Sequence, residues 1–147
     1  MQQQAIMEQQ SQSSDVITLQ TAQFGTLQIR PHHIFHFPQG IIGFEHLTRF
    51  VLISDEKTQP IKWLLSVDDP TIGFPVVNVL LVRPDYPLVR KLNSRKSVIL
   101  TILTLGKDKN ITANLRAPII LDIEQQEGKQ IVLTSDEFSF EYVVLQQ

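Results

Sequence analysis

Branched aliphatic residues constrain this chain more than any other feature of its sequence. The 147 residues include 16 Ile and 12 Val but only 4 Ala. Branched side chains lose rotamer freedom in a helix and pack well on a pleated sheet, so this balance favours strands. The sequence therefore predicts an all-β fold.

Short apolar runs, separated by turn-forming residues, support the same prediction. The runs are RFVLIS (49–54), IKWLLSV (61–67), FPVVNVLLV (74–82), SVILTILTL (97–105), RAPIILDIE (116–124) and KQIVLTS (129–135). They recur about every ten residues, which is typical of an antiparallel sandwich or a small barrel. We expect a mostly antiparallel, barrel-like domain.

Turn signals and helical spacing refine this expectation. One hairpin is predicted around Gly25, and a second between 116–124 and 129–135, with Gly128 in its connection. The segment 87–96 places Leu88, Val89 and Leu92 at helical spacing. At most one or two short helical turns are expected, one of them in this segment.

The length of the chain is that of one domain. Residues 1–15 are rich in Gln and Ser, which predicts a flexible tail, and 16–147 are expected to form the folded domain. The tail lacks the pattern of a secretory signal, and no apolar run approaches the ~20 residues that cross a bilayer. The expected location is the cytoplasm, without membrane contact.

Charge is distributed unevenly along the chain. Residues 83–116 contain eight basic and two acidic residues, whereas 120–147 contain six acidic residues and one basic residue. A solvated surface is the simplest explanation of such runs. The asymmetry also allows each surface to attract a partner of opposite charge.

Catalytic signatures are missing from the sequence. The chain has no Cys, no G-x-S-x-G motif and no glycine-rich phosphate loop. A metal site at His32, His36 and His46 is disfavoured: on a strand His32 and His36 share a face while His33 points away, so this stretch supplies at most two ligands and no nearby carboxylate. The pair Asp68-Asp69 precedes Pro70 and suits a turn better than an acid/base dyad. We predict neither enzymatic activity nor a cofactor.

Nucleic-acid binding is the alternative function. Small β-barrels often bind RNA, and 83–116 is basic. That stretch contains a single aromatic residue, Tyr86, whereas single-strand platforms use several rings for base stacking. Direct RNA binding through 83–116 is therefore the second choice.

A series of motifs resembles one known family. In chain order the motifs are HFPQGIIGFE, RFVLI, WLLSVDDPTIGFPVVN, RPDYP, ITANLRAPIILD and GKQIVL, over about residues 24–135. The chain is similar to the flagellar assembly factor FliW family. The resemblance implies a non-enzymatic barrel that binds the translational regulator CsrA, relieves its repression of flagellin translation, and also binds flagellin itself. We expect the protein to be a monomer.

The resemblance and the charges together suggest which residues matter. We expect the CsrA-facing surface to include acidic residues of the C-terminal third and the residues of two exposed turns, Asp68-Asp69 and Asp85-Tyr86. These are Asp122, Glu124, Glu127, Asp68, Asp69, Asp85 and Tyr86. The family motifs also contain a predicted corner and its supports, namely His36, Phe37, Pro38, Gly40, Gly43, Phe44, Asn114 and Pro118.

The C-terminal end, FSFEYVVLQQ, departs from the family pattern. Phe138, Phe140 and Tyr142 alternate, so they suit one face of an added edge strand at which a partner docks. An ordinary closing strand explains the same alternation. Both interpretations remain open at this point.

Overall fold

The computed structural model describes residues 15–92 and 96–145. Their strands are β1 Ile17–Thr21, β2 Gly25–Ile29, β3 Ile34–His36, β4 Arg49–Ser54, β5 Lys62–Ser66, β6 Gly73–Asn78, β7 Ser97–Leu105, β8 Ile111–Ala113, β9 Ile119–Asp122, β10 Glu127–Gln130 and β11 Tyr142–Leu145. One α-helix, α1, spans Pro87–Leu92, and 3₁₀ turns span Pro31–His33 and Val79–Leu81. Nearly all of the predicted tail, 1–14, lies outside the described residues.

Seven of these strands close into a barrel in the order β3–β4–β5–β6–β7–β9–β10 and back to β3. Each neighbouring pair is antiparallel except β10 and β3, which run parallel and meet at a single register pair, Glu127 with His36. Strands β8 and β11 extend the sheet from β7, and β1 pairs only with β2. The predicted all-β, mostly antiparallel barrel with short helical turns is confirmed.

Three apolar clusters explain why many strands are continuous apolar runs. Alternate residues such as Phe50 and Leu64 fill the barrel interior. Their neighbours Val51 and Leu65 face outward but are buried beneath the β1–β2 hairpin. A third cluster covers the outer side of β6, β7 and β9, where Tyr86 and Phe138 pack. Burial on both faces favours apolar residues at successive positions.

The hairpin predicted around Gly25 is confirmed by the β1–β2 pairing. The second predicted hairpin is also present, because β9 and β10 pair antiparallel from Asp122–Glu127 to Ile119–Gln130. Its connection, however, is 123–126, where Gln126 adopts a left-handed φ of 54°. The prediction that Gly128 forms the connection is therefore wrong.

Position 128, within β10, requires a glycine. The ring of Phe37 occupies the space that a side chain would need there. A Cβ at this position would lie 2.2 Å from Cζ and 2.3 Å from Cε1 of Phe37. Phe37 itself is fully buried in the interior cluster. The glycine thus lets the ring close the interior beside the parallel β3–β10 seam.

One predicted strand is shorter in the structure than the sequence indicated, and the predicted helix is present. Strand β10 ends at Gln130, so the predicted strand 129–135 is mostly irregular, although Ile131 and Leu133 donate to Pro118 O and Arg116 O. The short helix predicted in 87–96 is present as α1, and 93–95 lie outside the described residues.

The C-terminal aromatic residues are divided between two roles. Tyr142 begins the edge strand β11, which pairs with β8. Phe138 and Phe140 precede that strand, and Phe138 is buried against Tyr86 with their ring centroids 5.1 Å apart. The expectation that all three line one face of a strand is wrong, because the chain turns before β11 begins.

The Phe37–Gly128 contact yields a stability prediction. Gly128→Ala is expected to lower the free energy of unfolding by about 1–3 kcal/mol, because the new methyl group overlaps a buried ring. Urea unfolding followed by circular dichroism measures the change. Gly73→Ala is the matched control, since the nearest neighbour of its Cβ would be the flexible Leu65 Cδ1 atom, at 3.2 Å, and the backbone would lie at 3.8 Å or more.

Phe37→Leu in the Gly128→Ala background tests the cause. The smaller side chain is expected to restore part of the free energy of unfolding that Gly128→Ala removes. A double-mutant cycle would then give a non-zero coupling energy. Equal stability of Gly128→Ala and Gly73→Ala would contradict the proposed role of the contact.

Candidate protein-binding surface

The corner at residues 36–45 is built by backbone constraints. Gly40 has a φ of +66°, and a Cβ there would lie 2.6 Å from the Cα of Glu45. Gly43 has a φ of +89°, which L side chains rarely adopt. Phe44 returns to the interior, where its ring meets Phe74 with the centroids 5.3 Å apart. The motif shapes the chain at this corner and brings no reactive group together.

Two polar contacts anchor the corner. The Ile42 N–H donates to Gln130 Oε1 over 2.9 Å, which ties the corner to β10. The Gly43 N–H donates to Glu45 Oε1 over 3.1 Å, and this hydrogen bond lowers the pKa of the Glu45 carboxyl. Pro38 lies in the turn that follows Phe37.

Asn114 and Pro118 shape the connection between β8 and β9. The Asn114 side-chain Oδ1 accepts from the Ala117 N–H over 2.9 Å, and its backbone oxygen accepts from Thr101 Oγ1. Pro118 is buried, and its carbonyl accepts from the Ile131 N–H. Both residues position the start of β9.

The structure gathers predicted acidic residues into one row across four neighbouring strands. Asp122 of β9 is the register partner of Glu127 of β10, which pairs with His36 of β3, which pairs with Arg49 of β4. Register partners place their side chains on the same face of a sheet. This line, with the Asp68 carboxylate that binds Arg49, is called the charged row.

Arg49 and Asp68 join β4 to the β5–β6 connection at one end of the charged row. Arg49 Nη2 lies 2.5 Å from Asp68 Oδ1, and its Nε lies 3.2 Å from the same oxygen. Hydrogen bonding to Asp68 raises the pKa of Arg49. Both side chains are partly exposed, at 40% and 38%, so water screens the pair and a partner can reach it.

The other end of the charged row continues into the β9–β10 turn. Asp122 Oδ1 accepts from the N–H groups of Glu124 and Gln125 over 3.0 and 2.9 Å, which fixes the turn. The exposed Glu124 carboxylate forms an ion pair with Lys96. The Asp122 carboxylate thus stabilises the turn, whereas the side chains of Glu124 and Glu127 are exposed to solvent.

Asp69 lies beside the charged row but has a local role. Its Oδ1 accepts from Thr71 Oγ1 over 2.6 Å and from the Thr71 N–H over 3.2 Å. These bonds hold the β5–β6 turn in the manner expected of an Asp before a turn.

Asp85 and Tyr86 lie apart from the charged row. Asp85 is exposed and binds Arg83 Nε over 3.1 Å. Tyr86 is only 1% exposed, and its hydroxyl donates to the Leu115 carbonyl. The prediction that Tyr86 lies on an exposed turn is wrong, because α1 and the C-terminal segment cover this side of the barrel. Burial raises the pKa of Tyr86 to about 12.

A second set of contacts, absent from the sequence-based reasoning, fastens the C-terminal segment. Arg116 binds Asp136 over 3.0 Å, and its guanidinium carbon lies 5.2 Å from the centroid of the Phe140 ring. Arg83 likewise contacts Glu137 and lies over Phe138. The available signal in the sequence was the adjacent pair Asp136-Glu137 followed by two aromatic residues, Phe138 and Phe140. These pairs use basic residues of 83–116 within the fold.

Metal-binding clusters and membrane-spanning helices are both absent from the described ranges, 15–92 and 96–145. There, no three His, Cys, Asp or Glu residues are placed to hold a metal ion. Nor does any helix in these ranges have the length and apolar content to cross a membrane.

Fold and surface together define a class, a small closed β-barrel whose candidate site is an exposed row of charged residues. The family model described as FliW protein matches residues 18–144. The chain belongs to the FliW family.

Individual relatives agree with this assignment. The chain is 39% identical over 138 residues to a flagellar assembly factor FliW from Thermotoga neapolitana, covering 86% of this chain and 93% of the relative. It is 38% identical to the protein of the same description from Thermotoga petrophila, covering 84% and 90%. A crystal structure of the flagellar assembly factor FliW superimposes with a TM-score of 0.76 at 30% identity, covering 87% and 96%.

The buried Tyr86 hydroxyl yields a pH prediction. The pKa of this tyrosine is near 10 when unfolded and about 12 when folded, so its neutral form stabilises the fold fully below pH ~10. This contribution, roughly 2–3 kcal/mol for such a shift, is lost as the pH rises from about 10 to 12. Urea unfolding over this pH range measures the loss.

Tyr86→Phe removes the titrating group. It is expected to lower the free energy of unfolding by about 1 kcal/mol at neutral pH, because the Leu115 carbonyl loses its donor. It is also expected to reduce the fall in this free energy between pH ~10 and ~12. Tyr142→Phe, at an exposed position, is expected to keep the decline. Identical alkaline curves for Tyr86→Phe and the unmodified protein would exclude this assignment.

Proposed function

We propose that this protein is a monomeric, cytoplasmic and non-enzymatic flagellar assembly factor that binds CsrA and flagellin. Binding of CsrA relieves its repression of flagellin translation, so that flagellin level and flagellin synthesis are coupled. Membership of the FliW family and the shared description of its relatives support this proposal.

The exposed acidic side of the charged row is the observation that carries the CsrA assignment. Glu124 and Glu127 are exposed on the β9–β10 hairpin, with Asp122 at the base of the turn. A regulator that binds RNA presents positive charge, which this hairpin complements. Such complementarity speeds encounter and fixes orientation more than it deepens affinity.

Partner switching follows from two linked binding events. When free flagellin binds this protein, the affinity of the protein for CsrA falls. The released CsrA then represses translation of the flagellin message, and export of flagellin restores CsrA binding. If the coupling is at equilibrium, each partner weakens the binding of the other by the same factor. No covalent step is required.

Direct RNA binding through 83–116 has less support from the structure. Tyr86, the aromatic residue of that stretch, is buried and offers no stacking face. Arg83, Lys96 and Arg116 each form ion pairs within the fold. Single-strand binding relies on exposed rings and free positive charge.

Charge reversal on the hairpin tests the proposed surface. The double variant Glu124→Lys/Glu127→Lys is expected to lower the CsrA association rate about tenfold at low salt and to flatten its salt dependence. Stopped-flow association over a series of salt concentrations measures both. Asp122 is left unchanged because its carboxylate holds the turn.

Asp15→Lys/Glu56→Lys is the matched control, since both residues are exposed, lie outside the charged row and give the same change in net charge. The control is expected to alter the rate much less. Equal rates for both double variants would remove the hairpin from the CsrA surface.

The wider proposal has its own test. Purified protein is expected to retain CsrA from cytoplasmic extract and to release it when flagellin is added. Retention of neither protein would overturn the proposed function. Tight, salt-sensitive binding of RNA in a mobility-shift assay without CsrA would favour the alternative.

A further inference from the structure

One end of the barrel opens into an apolar depression of about 450 Å³. Its floor is formed by interior-facing side chains of β4, β7 and β9. These are Leu52, Val98, Leu100 and Leu121. The depression has the volume of ordinary small-molecule sites, which measure roughly 300–1,000 Å³.

An exposed lysine, Lys62, lies at the edge of this opening. Leu64 is fully buried in the barrel interior, and Lys62, two residues away on β5, shares its face. The register partners of Lys62 are Ser54 on β4 and Val76 on β6, which also line the depression. Among the described residues of this lining, Lys62 is the one charged group, and no described carboxylate forms an ion pair with it.

Two exposed apolar side chains form the rim. Leu81, at the end of the 3₁₀ turn after β6, is 63% exposed, and Ile123, in the β9–β10 turn, is 44% exposed. The Ile123 N–H donates to the Lys96 carbonyl over 2.8 Å, which holds this side of the rim in place. An apolar floor, an apolar rim and one exposed lysine at the edge of the opening together form a site here called the barrel mouth.

We propose that the barrel mouth binds a medium-chain fatty acid. The alkyl chain lies over Leu52, Val98 and the rim. Binding there removes apolar surface of both the ligand and the protein from water. The carboxylate pairs with the Lys62 ammonium, which supplies the opposite charge at the edge of the depression. The floor and Lys62 lie apart from the charged row, and the two sites meet only at the β9–β10 turn, where Ile123 lies between Asp122 and Glu124. Binding of a fatty acid is tested without CsrA or flagellin, so its outcome does not depend on those assignments.

Calorimetric titration of the full chain with decanoate tests the proposal. Saturable binding at one site is expected, and shortening the chain by one CH₂ is expected to weaken it about fourfold. Lys62→Gln is expected to weaken decanoate binding about tenfold and to leave decanol binding unchanged. Leu81→Ser/Ile123→Ser is expected to weaken both ligands.

Matched controls separate the site from general effects of charge and exposed apolar surface. Lys107→Gln removes a surface charge outside the barrel mouth, and Leu105→Ser removes an apolar side chain that is 71% exposed elsewhere. Both controls are expected to bind decanoate as the unmodified protein does. All positions changed are exposed, so circular dichroism spectra are expected to remain alike.

Two outcomes would overturn the proposal. One is the absence of saturable heat with millimolar decanoate. The other is binding that responds equally to Lys62→Gln and Lys107→Gln, since the ligand would then lie outside the barrel mouth.

Discussion

The packing of the Phe37 ring on the backbone of Gly128 is the contact on which the barrel depends. Strands β3 and β10 share only one register pair, Glu127 with His36, so backbone pairing alone does little to hold this seam. The ring adds a fully buried apolar contact there, and its edge-to-face neighbour Phe50 extends the contact into the interior. Closure removes the exposed sheet edges that an open sheet would present.

Closure also explains the distribution of the remaining elements. A closed barrel of seven strands leaves outward faces that are still apolar, such as Val51 and Leu65 on one side and Ile99 on another. The β1–β2 hairpin covers the first face, and α1 with the C-terminal segment covers the second. The ion pairs of Arg83 and Arg116 with that segment therefore serve to keep an apolar face covered.

The same seam places the charged row. Because β10 joins β3 in parallel, Asp122 and Glu127 come into line with His36 and Arg49 from the first half of the chain. Acidic residues far apart in sequence thus share one face. The charged row therefore spans β9, β10, β3 and β4 and includes both strands of the closing seam.

The sequence alone determined the β class, the family and several local elements. Strand β4 occupies the predicted run 49–54, and the hairpin around Gly25 and the helical turn after Pro87 are present. These features depend on side-chain branching, on period-two alternation and on turn residues, all of which act between near neighbours in the chain.

Tertiary structure alone decided the burial of Tyr86, the place of Gly128 inside β10 and the line of the charged row. Each depends on a partner distant in sequence: Leu115 for Tyr86, Phe37 for Gly128, and His36 for Glu127. The alternation of apolar and polar residues predicts which side chains of a strand share a face. It does not predict which other strand lies beside that strand. The pairing of β3 with β10, and hence the line of the charged row, is set by how the whole chain closes.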